Sequence, residues 1–126
     1  MKDNGTDRDI ALSMVNKLTD ISTLISTINY NLYAPYITAQ PINQTGAVGE
    51  NVYFTVTAQR VTSYKWQVNN GVDDWADTTL VGNNTATLTV DVVARRDGYQ
   101  FRCKLTGKDG TIVYSDPATL TVAVSP

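Results

Sequence analysis

The sequence contains no histidine and only one cysteine among its 126 residues. Without an imidazole base, neither a serine nor a cysteine nucleophile of the common hydrolase kind can be assembled. A single cysteine also excludes an intramolecular disulfide, so stability must come from packing. These absences exclude ordinary acyl-transfer catalysis, and we expect no catalytic residue and no enzymatic activity.

Charge of either sign is also sparse, with 10 Lys and Arg, 12 Asp and Glu and a net charge of −2. The cations are scattered along the sequence, which predicts neither a phosphate-binding stripe nor a polybasic membrane patch. No uninterrupted apolar run is long enough for a spanning helix or the apolar part of a signal peptide. We therefore expect a soluble chain without a leader, a membrane association or a nucleic-acid partner.

The hydrophobic periodicity changes near Pro35. Before this residue, apolar side chains recur at helical spacing, and after it they alternate with polar ones. The first pattern predicts an α-helix from about Asp7 to about Leu32. The predicted domains are an oligomerisation or anchoring helix over residues 1–35 and a β-sandwich over residues 36–126.

The predicted helix carries an apolar 3–4 repeat of the kind through which helices supercoil around one another. Branched residues at the second repeat position favour three or four strands over a parallel dimer, so a homotrimer is the expected partner state. An amphipathic helix folded back on its own sandwich would show the same stripe. The seam consists of Ala11, Met14, Leu18, Ile21, Ile25, Ile28 and Leu32.

From Tyr36 onward, short alternating segments separated by turns predict seven or eight strands. The first strand is expected to be split at Pro41, and a tight turn at Asn70-Gly71 is expected to precede a short strand over residues 75–78. The inward-facing positions of these strands predict a mainly β protein with one hydrophobic core. The predicted core residues are Phe54, Trp66, Leu88, Phe101, Cys103 and Leu120.

Three motifs stand out in this region. They are Trp66 on the third strand, the run Asp97-Gly98-Tyr99-Gln100-Phe101-Arg102-Cys103, and the closing Ser115-Asp116-Pro117-Ala118-Thr119-Leu120-Thr121-Val122. Together they resemble the bacterial and phage branch of the immunoglobulin-like superfamily. The resemblance implies an immunoglobulin-like β-sandwich of 7–8 strands.

The chain departs from this family pattern at the inter-sheet disulfide and at the corner tyrosine. Phe54 or a neighbour stands where the first cysteine would be, which implies that Cys103 is reduced and packs beside Trp66. Phe101 replaces the corner tyrosine and removes its hydroxyl bond. Asp97 is expected to pair with Arg95 or Arg96, or to cap the turn.

Two groups of side chains are candidate surface sites. Asp73, Asp74 and Asp77 form an acidic cluster, but no calcium-loop pattern surrounds them, so we expect a solvated loop with no metal and no cofactor. The candidate aromatic contacts are Trp75, Tyr30, Tyr33 and Tyr36. The tyrosines would pack the junction of helix and sandwich or contact a host surface. Trp75 would be a binding anchor or a cover for the sandwich edge.

A leaderless start, an oligomerisation-type helix and a binding-type sandwich together favour a non-enzymatic phage virion protein of the head-fibre or capsid-decoration type. Its expected place is the exterior of the particle, and its expected partners are sister chains, phage capsid or tail proteins and host surface carbohydrate. One alternative is a tail or baseplate appendage. Another is an adhesion or spacer module of a bacterial cell-surface protein. Fold alone does not decide among these.

Overall fold

Alternation of apolar and polar residues produces strands throughout residues 33–124, the part of the chain that this computed structural model describes. These residues form ten strands and one 3₁₀ turn, Ala94–Arg96. The strands are β1 Tyr36–Ala39, β2 Gln44–Ala47, β3 Asn51–Thr55, β4 Thr57–Gln59, β5 Ser63–Asn69, β6 Ala76–Asp77, β7 Thr87–Asp91, β8 Gln100–Thr106, β9 Ile112–Tyr114 and β10 Ala118–Ala123. The predicted helix, its seam and Tyr30 lie outside the described residues.

The strands are arranged in two layers. One layer is a six-stranded sheet in the order β2-β10-β8-β5-β6, with β9 also paired to β8. The other contains the antiparallel pairs β3-β7 and β1-β4. Within the described residues, β2 and β10 are the parallel pair, and the other pairings are antiparallel. This arrangement supports an immunoglobulin-like β-sandwich.

Apolar side chains from both layers form one core. The Phe54 and Phe101 ring centroids lie 5.1 Å apart and join β3 to β8. The Trp66 indole Nε1 donates a 2.8 Å hydrogen bond to the Thr85 carbonyl oxygen, so its only polar atom is satisfied inside the core. The six residues expected in the core from sequence, Phe54, Trp66, Leu88, Phe101, Cys103 and Leu120, are all fully buried.

Cys103 lies directly opposite Trp66 in the register of β8 and β5. Its thiol is free and buried, and burial raises the pKa of the thiol to about 12. At neutral pH the side chain is therefore a protonated, apolar filler rather than a nucleophile.

The strand count exceeds the predicted seven or eight because irregular residues interrupt three strands. The first strand is split into β1 and β2, as expected around Pro41. Val56 separates β3 from β4, and its backbone N–H donates to the Ala86 carbonyl oxygen at 3.0 Å. Ser115, Asp116 and Pro117 separate β9 from β10.

The predicted tight turn at Asn70-Gly71 is wrong, because a longer loop takes its place. β5 and β6 are joined by a six-residue loop, in which the Asn70 carboxamide oxygen accepts the Val72 and Asp73 backbone N–H groups. The short strand expected over residues 75–78 comprises only Ala76–Asp77.

Asp97 does not pair with Arg95 or Arg96. Its carboxylate accepts the Val122 backbone N–H at 2.9 Å, which ties the end of the 3₁₀ turn to β10. Arg96 instead pairs with Asp91 at 2.6 Å. The guanidinium hydrogen bond lowers the pKa of the Asp91 carboxyl.

Candidate functional site

Long polar side chains lie together at the centre of the outward side of the six-stranded sheet. Successive side chains of a strand point to opposite faces. Because Trp66 and Cys103 point into the core, their neighbours on β5 and β8 point outward. The register places Gln67 opposite Arg102 and Lys65 opposite Lys104.

Arg102 is the central residue of this face. Its guanidinium carbon lies 4.4 Å from the centroid of the Trp75 ring and 4.2 Å from that of the Tyr114 ring. The cation is thus held between two aromatic rings, one from the loop before β6 and one from β9. Contacts of this kind are favourable because the cation meets the negative ring faces. We call Trp75, Arg102 and Tyr114 the ladder.

Hydrogen bonds fix the orientation of the guanidinium within the ladder. The Arg102 Nε donates to the Gln67 Oε1 at 2.9 Å. The Gln67 Nε2 in turn donates to the Asp77 Oδ1 at 3.0 Å. The two bonds determine which way the Gln67 amide is turned, since its oxygen must face the guanidinium and its nitrogen the carboxylate.

Two further cations adjoin the ladder. Lys65 and Lys104 lie directly across β5 and β8 from each other, and Lys104 follows Arg102 by two residues on the same face. The Lys65 Nζ donates to the Asn83 Oδ1 at 3.0 Å. We call Lys65, Lys104 and the ladder the basic–aromatic face.

The aromatic residues considered from sequence fall in different places. Trp75 is half-buried in the ladder, so it covers the sheet and also contributes to the candidate face. Tyr33 and Tyr36 are 40% and 56% exposed. Tyr30 lies outside the described residues.

Sequence reasoning missed Arg102, Tyr114 and Gln67 as parts of a site. Their outward positions follow from strand alternation, but their neighbours depend on strand pairing. A signal was available in Gln67 and Arg102, since each lies one residue from a core position of its strand.

The acidic residues of the β5–β6 region are all exposed. The Asp73 Oδ2 accepts a hydrogen bond from the Asn70 Nδ2 at 3.1 Å, and the Asp77 carboxylate accepts one from the Gln67 Nε2. Among residues 33–124, no group of three or more His, Cys, Asp or Glu side chains is suited to hold a metal ion. No helix in that same range is long and apolar enough to cross a membrane.

Comparison with known proteins finds a similar protein sequence and a similar solved structure. The chain is 37% identical over 81 residues to Endoglucanase C of Cellulomonas fimi, a match that covers 63% of this chain and 7% of the endoglucanase. It is similar in structure to Rst D1-D2, with a TM-score of 0.52 and 21% identity over 73% of this chain and 50% of that chain. No protein-family model matches.

The chain therefore spans a small fraction of the endoglucanase and half of the Rst D1-D2 chain. More than half of the 81 matched residues must fall after Leu32, because only 32 residues precede the described part. The likeness to the solved structure supports the β-sandwich fold alone.

Proposed function

We propose that the protein is a non-enzymatic attachment module, in which the β-sandwich presents its outer sheet face to a host surface or carbohydrate. The observation that carries this proposal is the basic–aromatic face. Its cation is held in one orientation by two rings and an amide, yet Tyr114 remains 45% exposed. A preorganised surface loses little conformational entropy when it binds.

The carrier that the sequence favours is a phage virion, with the module on its exterior as a head fibre or capsid decoration. The apolar seam of residues 11–32 would join three copies or dock them on capsid or tail proteins. Repetition of a weak contact over many copies raises the overall avidity without any new contact.

The second candidate is a module of a bacterial extracellular or cell-surface protein. The match to 7% of Endoglucanase C favours it, because a similar segment there forms a small part of a much longer protein. In this case the sandwich would be an adhesion or spacer module, and the N-terminal seam would not be needed for self-association.

Light scattering on the full chain separates the two carriers. The virion proposal predicts a trimer mass that Leu18→Asp and Ile25→Asp both reduce to the monomer mass, because each places a carboxylate in an apolar seam. Thr23→Asp adds the same charge outside the seam and should remain trimeric. A wild-type chain that is monomeric at all concentrations would contradict the trimer and favour the second candidate.

The attachment role is tested by binding of the full chain to bacterial surface polysaccharide immobilised at high density. The trimeric chain should bind at least about tenfold more tightly than the Leu18→Asp monomer, since multivalent avidity is lost when copies separate. Thr23→Asp should match the wild type. Equal binding of monomer and trimer would contradict multivalent attachment.

A further inference from the structure

The Arg102 guanidinium has more hydrogen-bonding capacity than the sandwich uses. Its Nε donates to Gln67, but neither of its two terminal nitrogens donates to any residue within 33–124. Its guanidinium carbon lies over the Trp75 ring and over the Tyr114 ring. The terminal N–H groups form a fixed fork that matches the geometry of a carboxylate.

Within residues 33–124, Lys65, Arg102 and Lys104 form no ion pair with a carboxylate. Like charges directly opposite each other on paired strands are unfavourable, and Lys65 and Lys104 stand in that relation. The ion pair found in the described part of the chain joins Arg96 to Asp91, outside this face. Three cations against the single Asp77 carboxylate that Gln67 binds on this face leave a local positive excess on a chain with net charge −2. Such an excess is complementary to an anionic ligand.

The surroundings of the cations indicate what kind of anion fits. Side chains that can hydrogen-bond to hydroxyl groups lie on both sides of the three cations, on the same face of β5 and β8. These are Asn69 opposite Gln100, and Ser63 opposite Thr106. The exposed Ile112 and Tyr114 of β9 add an apolar border. Hydroxyl groups, carboxylates and apolar ring edges occur together in acidic sugars.

We propose that the basic–aromatic face binds an acidic polysaccharide, and that Arg102 receives a sugar carboxylate through its two terminal nitrogens. Lys104 lies about 7 Å further along β8 and, with Lys65, meets the carboxylate of a neighbouring sugar. This inference rests on the proposed attachment function and names its ligand class. Asp77 and Gln67 are positioning residues, because they act only through the orientation of Arg102.

A nucleic acid fits this face less well. Proteins that bind single strands stack bases on open aromatic faces, whereas the rings of Trp75 and Tyr114 are each stacked on Arg102. Single-stranded DNA is therefore a control probe with the same sign of charge.

The experiment is calorimetric titration of the full chain with polygalacturonate oligomers at low salt. We expect measurable binding that weakens at least about tenfold between 0.05 and 0.5 M NaCl, because the charges at the surface are screened. Arg102→Gln should weaken binding at least tenfold. Arg102→Lys should also weaken it severalfold, because lysine keeps the charge but loses the planar fork.

The matched control is Arg95→Gln, which removes one charge from the exposed 3₁₀ turn and should leave the affinity within twofold of the wild type. Lys104→Gln keeps the ladder intact and should weaken binding about three- to tenfold with a shallower salt dependence. This variant decides the question if Arg102→Gln unfolds, which near-ultraviolet circular dichroism reports.

Three results would overturn the inference: no binding of polygalacturonate, equal binding of wild type, Arg102→Gln and Lys104→Gln, or tighter binding of single-stranded DNA. A parallel titration with neutral gluco-oligosaccharides separates the inference from the proposed function. Binding of the neutral sugar alone would leave the attachment role standing and remove the acidic ligand. Binding to no saccharide would remove both.

Discussion

Cys103 and Arg102 lie one residue apart on β8, and their opposite surroundings decide what each can do. Cys103 points into the core, where burial raises the pKa of its thiol to about 12. Arg102 points outward, where two rings and an amide hold it at the surface. The same strand therefore supplies an unreactive, apolar side chain on one face and a cation held in a fixed orientation on the other.

The raised pKa of Cys103 predicts a loss of stability at alkaline pH. The thiol has an ordinary pKa of 9.0 in the unfolded chain and about 12 in the folded one. Below pH 9 both states hold the proton and the contribution is fully present. As pH rises from 9 towards 12, the unfolded chain releases the proton first, so the free energy of unfolding falls.

Urea denaturation of wild type and Cys103→Ala between pH 8 and 11 measures this contribution. The variant lacks the thiol, so the stability difference between the two proteins should shrink as pH rises. Contributions that the two proteins share cancel in the difference. A difference that is independent of pH would show that the thiol titrates alike in both states.

Where a strand is interrupted, side chains can replace the missing hydrogen bonds between strands. Ser115 lies between β9 and β10 and is buried. Its hydroxyl oxygen accepts the Cys103 backbone N–H at 2.8 Å, and its own N–H donates to the Cys103 carbonyl oxygen at 2.8 Å. Ser115 therefore holds the break before Pro117 against β8 through one side-chain and one backbone hydrogen bond.

Ser115→Ala should lower the free energy of unfolding by about 1–3 kcal/mol, because it leaves the buried Cys103 N–H without its acceptor. Ser63→Ala, at the exposed start of β5, makes the same chemical change on the same sheet and should stay within about 0.5 kcal/mol of wild type. Urea midpoints of the two variants give the comparison. Similar values for both would show that water replaces the Ser115 hydroxyl.

The turn before β7 requires a glycine for two reasons. Gly82 has a φ of +80°, and a Cβ there would lie against the Thr87 carbonyl oxygen well inside contact distance. Gly110, in the β8–β9 turn, has a φ of +86° but open space around it. Both positions require a positive φ, but only at Gly82 would an added Cβ also clash with a neighbour.

Gly110→Ala should cost about 1–2 kcal/mol, the penalty of a left-handed backbone with a Cβ. Gly82→Ala should cost about 1–3 kcal/mol more, because the backbone of Thr87 must also move. Thermal unfolding of both variants measures the difference. Equal losses would mean that the turn before β7 relaxes without strain.

At the scale of the whole molecule, a filled core holds the two layers together without a disulfide. The chain has one cysteine, and the contact between the Phe54 and Phe101 rings joins the layers. Domains of this size have a total stability of only about 5–15 kcal/mol. One large core side chain is therefore a substantial fraction of it.

Phe54→Ala should destabilise the sandwich by about 3–5 kcal/mol, because a cavity opens between the layers. Tyr53→Ala removes an aromatic ring from the exposed face of the same strand and should cost less than about 1 kcal/mol. Calorimetry of the two variants tests the contrast. A small loss for Phe54→Ala would mean that the core collapses around the gap.

The sequence alone determined which residues point inward, where the first strand breaks, and that no disulfide joins the layers. These properties are local, since they follow from a two-residue period, from proline and from a cysteine count. The sequence did not determine the loop at Asn70 or the partner of Asp97, because these depend on contacts between distant segments.

Only the tertiary structure decided which outward residues meet. The cations are scattered along the sequence, yet pairing of β5 with β8 and β9 gathers Lys65, Arg102 and Lys104 beside Trp75 and Tyr114. A strand presents the same outward residues whatever its partner, so its sequence does not show which strands will lie alongside it. The hydrogen-bonded pairing of the strands determines which outward residues become neighbours, and so it determines the candidate binding face.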